Sequence, residues 1–178
     1  MPKVSQAHRH ARRQQIIDAA YTRFATHGFA RTSMTDLVKA SGLSNGAIYR
    51  YFTSKDEIVA AICAQSSQDF PAELTAEAID AFLQHIRTLA REKGHARLVA
   101  QIFAEAAVTP SLAALVEAQL EQMRKAVGAL LPDHPPAHAA GISESFVALC
   151  HAYSQQLAVR GDLDPAPFTA ALVAITMS

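Results

Sequence analysis

Tryptophan is absent from this 178-residue chain, cysteine occurs only twice, and no apolar run approaches the ~18–20 residues that span a bilayer. Two thiols, Cys63 and Cys150, cannot build a disulfide scaffold, so the fold must rest on an apolar core. That usage fits a reducing cytoplasm with two buried thiols, since neither has a cationic neighbour in sequence to lower its pKa. The opening MPKVSQAHRHARRQQ carries basic residues with no apolar stretch behind them, unlike a signal peptide. Catalytic signatures are missing too: no His-Glu-x-x-His, no glycine-rich phosphate loop after a strand, no Gly-x-Ser-x-Gly elbow. The histidine pairs His8/His10 and His134/His138 fall in a basic tail and a proline-rich loop, with no cysteine or paired acids beside them, so solvated side chains are expected there. No catalytic residue, cofactor or metal is therefore expected, and neither a membrane protein nor a stapled secreted domain.

What is present is half apolar and 18% charged, a globular composition. Alanine is abundant and β-branched residues come mostly singly, which points to an all-α chain. The net charge is zero, but it is unevenly spread. Residues 1–57 hold nine Lys/Arg and four Asp/Glu, hence +5; the remainder holds seven and twelve, hence −5. A basic head on an acidic body suggests that the head meets a polyanion.

Periodicity predicts a first helix over 8–27, with Ile16, Ile17, Ala20, Tyr21 and Phe24 on one stripe and Gly28 at its end. Ser33 and Asp36 form a capping-box pattern before a short helix that Gly42 ends. Ser44 caps a third helix carrying Ile48 and Phe52, and SKDE at 54–57 is a second capping-box pattern opening a fourth helix, about 55–68. Longer helices follow over 75–93, 96–107, 110 to about 131 with Thr109 as cap, and 142–160, with 132–138 a loop. Asp164-Pro165 opens a last helix. LVAITMS ends inside an apolar helical pattern, so either the natural chain goes on or this helix finishes against a partner.

Helix, glycine turn, short helix is the helix-turn-helix arrangement. Leu37, Val38, Leu43, Ile48 and Phe52 have the spacing to share a core with Ile17, Ala20 and Phe24. Asn45, Ala47 and Arg50 then face outward, where Asn can bridge adenine, Ala can meet a thymine methyl and Arg can fork onto guanine or hold a phosphate. Tyr49, Tyr51 and Lys55 bracket that face with groups that position a protein on the phosphate backbone.

Residues 12–58 resemble the DNA-binding head of the TetR/AcrR family of bacterial transcriptional regulators. The matching pieces are II-AA---F---G (16–28), T-DLVKASGLSNGAIYRYF (35–52) and SKDEI (54–58), about a quarter of the chain. The resemblance implies a nine-helix fold: a helix-turn-helix three-helix DNA-binding domain over 1–54 and a ligand-binding and dimerisation domain over 55–178. It implies a homodimer on a palindromic double-stranded operator, and a small-molecule effector that weakens DNA binding when bound. Carried over by position, Thr35, Asn45, Ala47 and Arg50 approach bases. Tyr49, Tyr51 and Lys55 hold phosphates, with Ser33 and Arg13 as helpers. Met34 departs from the threonine or β-branched residue more frequent at its position.

Two half-sites are also a physical requirement, because one recognition helix reads only a few base pairs. Phe146, Leu149, Cys150, Tyr153 and Leu157 form one stripe, and Phe168, Leu172 and Ile175 another. These stripes either build a four-helix dimer seam or face their own core. For the effector, Phe82, Ile86, Leu89, Phe103, Met123, Phe146 and Cys150 are the apolar lining candidates. His85, Gln101, Glu105 and His151 are the polar ones, each with plain core or surface as its alternative. The expected mechanism has ligand entry shift the helix at 96–107 and, through the fourth helix, spread the heads. The result is a cytoplasmic ligand-responsive repressor; the alternative is an effector-independent architectural or partner-binding protein using the same head.

Overall fold

The computed structural model describes residues 6–66 and 70–177. They form nine α-helices: α1 (Gln6–His27), α2 (Met34–Ser41), α3 (Asn45–Tyr49), α4 (Lys55–Ser66), α5 (Ala76–Lys93), α6 (His95–Ala106), α7 (Pro110–Ala129), α8 (Pro136–Arg160) and α9 (Ala166–Thr176). No strand occurs among the described residues, and no helix there is long and apolar enough to cross a membrane.

Local chemistry sets the boundaries. The Ser33 hydroxyl accepts from the Asp36 N–H while the Asp36 carboxylate accepts from the Ser33 N–H, a complete capping box on α2. Gly42 closes that helix in the left-handed region at φ 67°, which a side chain would strain. Ser44 caps α3 through the Ala47 N–H. Gly94, at φ 71°, ends α5 and begins α6 in one step; a Cβ there would lie 3.3 Å from the Cβ of Ala25 on α1, so the tight corner also lets the head approach the body.

Four boundaries differ from expectation. The second capping box is split: the Ser54 hydroxyl accepts from the Glu57 N–H, but the Glu57 carboxylate reaches past it to the N–H and hydroxyl of Thr53. Thr109 makes no side-chain cap and instead donates to Glu105. α9 starts after Pro165, with Asp164 accepting from the Ala166 N–H. α8 begins six residues early, because Pro136 occupies a first-turn position where its missing N–H costs nothing. His138 therefore lies in that first turn, stacked on His134, and His8 and His10 lie within α1 rather than in a tail. The fourth helix runs to Ser66; residues 67 and 68 of its expected span lie outside the described residues.

Two apolar clusters organise the packing. Ile16, Ile17, Ala20 and Phe24 of α1 bury against Leu37, Ile48 and Phe52, with Val38 and Leu43 at the edge. Each such side chain contributes roughly 1.5–3 kcal/mol of burial. Ile58, Val59 and Ile62 of α4, Leu98 and Ile102 of α6, and Leu112 of α7 belong to the same cluster, so a division after residue 54 cuts through a shared core. The second cluster joins Ile79, Phe82 and Leu83 of α5 to Val127 of α7, to Phe146, Val147, Cys150, Tyr153 and Leu157 of α8, and to Leu172 of α9. Arg87 forks onto Asp162 at 2.6 and 2.8 Å, tying α5 to the α8–α9 turn; that hydrogen bonding holds the Asp162 carboxyl at about 2.

Candidate nucleic-acid interface and body cavity

Burial of Ile48 and Phe52 fixes the orientation of α3. Asn45, Gly46, Tyr49 and Arg50 then form its exposed arc, flanked by half-buried Ala47 and Tyr51. Tyr49, 48% exposed, thus sits on the outward face itself rather than beside it. Thr35 and Lys39 are exposed one turn apart on α2. Exposed Arg13 holds its guanidinium 5.1 Å from the centre of the Phe52 ring, anchored where it can also reach a phosphate. Asn, Tyr and Arg on one turn supply an amide, a phenol and a forked cation, the groups that read base edges and phosphates in a major groove.

Two expected contacts are engaged elsewhere. The Ser33 hydroxyl donates to Asp36 at 2.7 Å, so a phosphate contact from it would dismantle the cap of α2. Lys55 donates to the Phe29 carbonyl at 2.9 Å, with its ammonium 4.3 Å from the Phe29 ring centre. On the other side of the same residue, the Phe29 N–H donates to Oε1 of Gln101 at 2.9 Å. Phe29, at the end of α1, is thereby held by α4 and α6 together. Gln101, expected at a ligand, serves this joint instead, and Glu105, also expected there, accepts from Thr109.

In the body, α4 to α8 enclose a cavity of about 160 Å³. Of the candidates for an effector site, Phe82, Ile86, Leu89, Phe103, Met123 and Cys150 line this cavity, together with His85 and His151. Phe146 does not; it packs behind the wall, its ring 6.0 Å from that of Phe70, which does line the cavity. Unforeseen lining comes from His95, Gln119 and Ser154. His95 meets the Tyr21 hydroxyl at 2.7 Å, so the cavity wall touches α1 directly. No linear signal pairs two residues 74 positions apart. Burial, followed by the neighbouring His85 and Lys93, holds His95 down at about 4, and burial also lowers His151. Burial pushes the thiols of Cys63 and Cys150 up to about 11 and 12, which leaves little thiolate for redox chemistry.

The residues expected at a dimer seam divide. Phe146, Cys150, Tyr153, Leu157 and Leu172 are buried in their own subunit's core, and the Tyr153 hydroxyl donates to the Leu163 carbonyl. Half-buried Phe168 packs against Tyr153 with the rings tilted and their centres 4.9 Å apart, and Leu149 is half-buried. The reason is that α8 carries two apolar faces. The large side chains face inward, while Ala148, Leu149, Ala152 and Val159 form a second stripe, with Val159 88% exposed. Pro167, Ala170, Ala174 and Met177, all exposed, continue it along α9 and just past its end.

Comparison with known proteins agrees with this geometry. Residues 16–62 match the family described as bacterial regulatory proteins, tetR family. An HTH-type transcriptional repressor of Mycobacterium tuberculosis is 37% identical over 79 residues, covering 44% of this chain and 42% of that protein. The HTH-type transcriptional regulator UidR of Escherichia coli is 30% identical over 111 residues, 59% of this chain and 57% of its own. The chain thus spans about half or less of the length of these curated relatives. Solved structures extend the likeness of fold. Salmonella enterica GusR superposes over 99% of this chain and 97% of its own at TM-score 0.67 and 24% identity, and a transcriptional regulator from Rhodococcus over 93% and 94% at TM-score 0.70 and 21% identity. Taken with the capped turn and the exposed Asn45–Arg50 arc, these likenesses identify residues 16–62 as a head of the tetR family of bacterial regulatory proteins, on a chain that shares the nine-helix fold of the solved regulators.

Proposed function

We propose that the protein is a homodimeric repressor that binds a palindromic operator through α3 and is released by a small effector entering the body cavity. The observation that carries this reading is the seating of the head. Its α1 is bonded to the cavity wall through Tyr21 and His95, and its α1–α2 turn is clasped at Phe29 by Gln101 and Lys55. An effector that displaces His95 or α6 therefore favours a different head spacing, a shift between two populations. Dimerisation uses the small-residue face of α8 and α9.

Selection from a random duplex library tests the DNA-binding part. An inverted repeat should be enriched, and binding should fall steeply with salt. Absence of symmetry in the enriched sites, or salt-insensitive binding, would defeat the reading. Arg50→Ala should cost about 1–3 kcal/mol on the selected site and relax its sequence preference. Lys55→Ala should lower thermal stability, because it removes the side-chain donor to the Phe29 carbonyl and leaves it only the Thr32 N–H.

The coupling part is tested by Tyr21→Phe. That variant keeps the ring packing and removes the bond to His95. Basal operator affinity should stay within about twofold, while the effector concentration for release should shift by about fivefold, the worth of one hydrogen bond. An unchanged release curve would dissociate Tyr21 from the switch.

A further inference from the structure

The chemistry of the cavity wall is specific enough to name the class of molecule it takes. No Asp, Glu, Lys or Arg stands among the described lining residues. A carboxylate or ammonium entering it would lose its hydration and meet no counter-charge. Burial also disfavours the charged forms of four lining groups, His95, His151, Cys63 and Cys150.

One polar group stands apart. The Oγ of Ser154 is buried and has no hydrogen-bond partner among the described residues, although Ser143, on the same helix, bonds the carbonyl four residues back. A buried hydroxyl left unpaired is unfavourable, and a guest that supplies its partner recovers that loss. Around it the Phe103 ring lies 3.9 Å from the His151 ring, and Phe70 and Phe82 meet edge to face at 5.3 Å, so the walls are flat and aromatic. The volume of about 160 Å³ is close to that of an apolar cavity of ~150 Å³ that admits benzene.

We propose that this cavity binds a small uncharged molecule of about one ring, held by a single hydrogen bond to Ser154, and rejects its charged counterparts. This rests on the reading of the cavity as an effector site and adds the chemistry of the effector.

Four probes on the full-length protein test it by calorimetry at pH 7.5: phenol, its near-isostere toluene, benzamide and benzoate. Phenol and benzamide should bind, with benzoate at least about fiftyfold weaker than benzamide. Ser154→Ala should weaken phenol by about fivefold and leave toluene unchanged. That substitution removes an unpaired hydroxyl and little volume, and toluene binding shows that the cavity of the variant is intact. Benzoate binding as tightly as benzamide, phenol and toluene weakening together in Ser154→Ala, or none of the four binding would each overturn the proposal. The same probes added to operator-bound protein separate the two readings. If phenol binds through Ser154 without releasing DNA, the effector reading falls and the ligand chemistry stands. If benzoate binds and releases DNA, the reverse holds.

Discussion

The double variant Ala148→Glu/Ala174→Glu should be monomeric by sedimentation at concentrations where the parent is a dimer, and should lose at least about a hundredfold in operator affinity. Both alanines are exposed in the single subunit, so neither substitution disturbs its core. In the dimer each glutamate would be desolvated against an apolar face, once per subunit, with no cation to pair it. The face consists largely of small residues on α8 and α9, which allow helices to approach closely. Loss of the dimer removes one of two recognition helices, and with it half of the base and phosphate contacts that specific affinity needs. A double variant that stays dimeric, or a monomer that binds the operator at full strength, would refute the assignment of this face.

Acid should loosen the protein between pH 6.5 and 5, with His95 as a principal cause. A folded-state value of about 4 against the ordinary 6.5 means that the unfolded chain takes up a proton that the folded one refuses. The stabilising contribution is therefore complete above pH 6.5 and is lost as pH falls toward 4. Allowing for the partial exposure of the ring, the loss by pH 5 is about 1–2 kcal/mol. Urea midpoints at pH 7.5 and 5 measure it, with His95→Gln as the comparison. The variant should lose less stability across that interval than the parent. His151 is also lowered by burial and contributes in the same direction in both proteins, so the difference between them reads His95 alone. The paired carboxylate of Asp162 does not interfere, because its contribution is lost only as pH falls from about 3.8 toward 2. Equal acid sensitivity in both proteins would show that His95 is not kept neutral by its seat.

Much of the head could be read from the linear pattern, since its determinants are local. The capping box at Ser33, the left-handed Gly42, the Ser44 cap and the burial of Ile48 and Phe52 all act within a few residues. Once Ile48 faces inward, helical geometry turns Tyr49 and Arg50 outward, and Asn45 is exposed as the first residue of the helix. The basic surplus of the first 57 residues needs no structure either. The seam of α8 illustrates the opposite case. Its spacing shows that Phe146, Cys150, Tyr153 and Leu157 share a stripe, but this helix has a second, smaller apolar face. Periodicity cannot say which of the two meets the subunit's own core. Packing decides it: the large side chains fill the space between α5, α7 and α9, and the alanines are left outside.

The amino-acid order by itself determined an all-helical chain with a basic helix-turn-helix head, because caps, glycine turns and a 3.6-residue period are written within single helical turns. Only the tertiary structure decided that Lys55 and Gln101 clasp Phe29, that His95 joins the cavity to Tyr21, and that Ser154 faces the cavity without a partner. The bonded pairs among these are 26 to 74 residues apart in the chain. They arise from how amphipathic helices pack, and the sequence specifies that packing only through the sum of all its buried contacts.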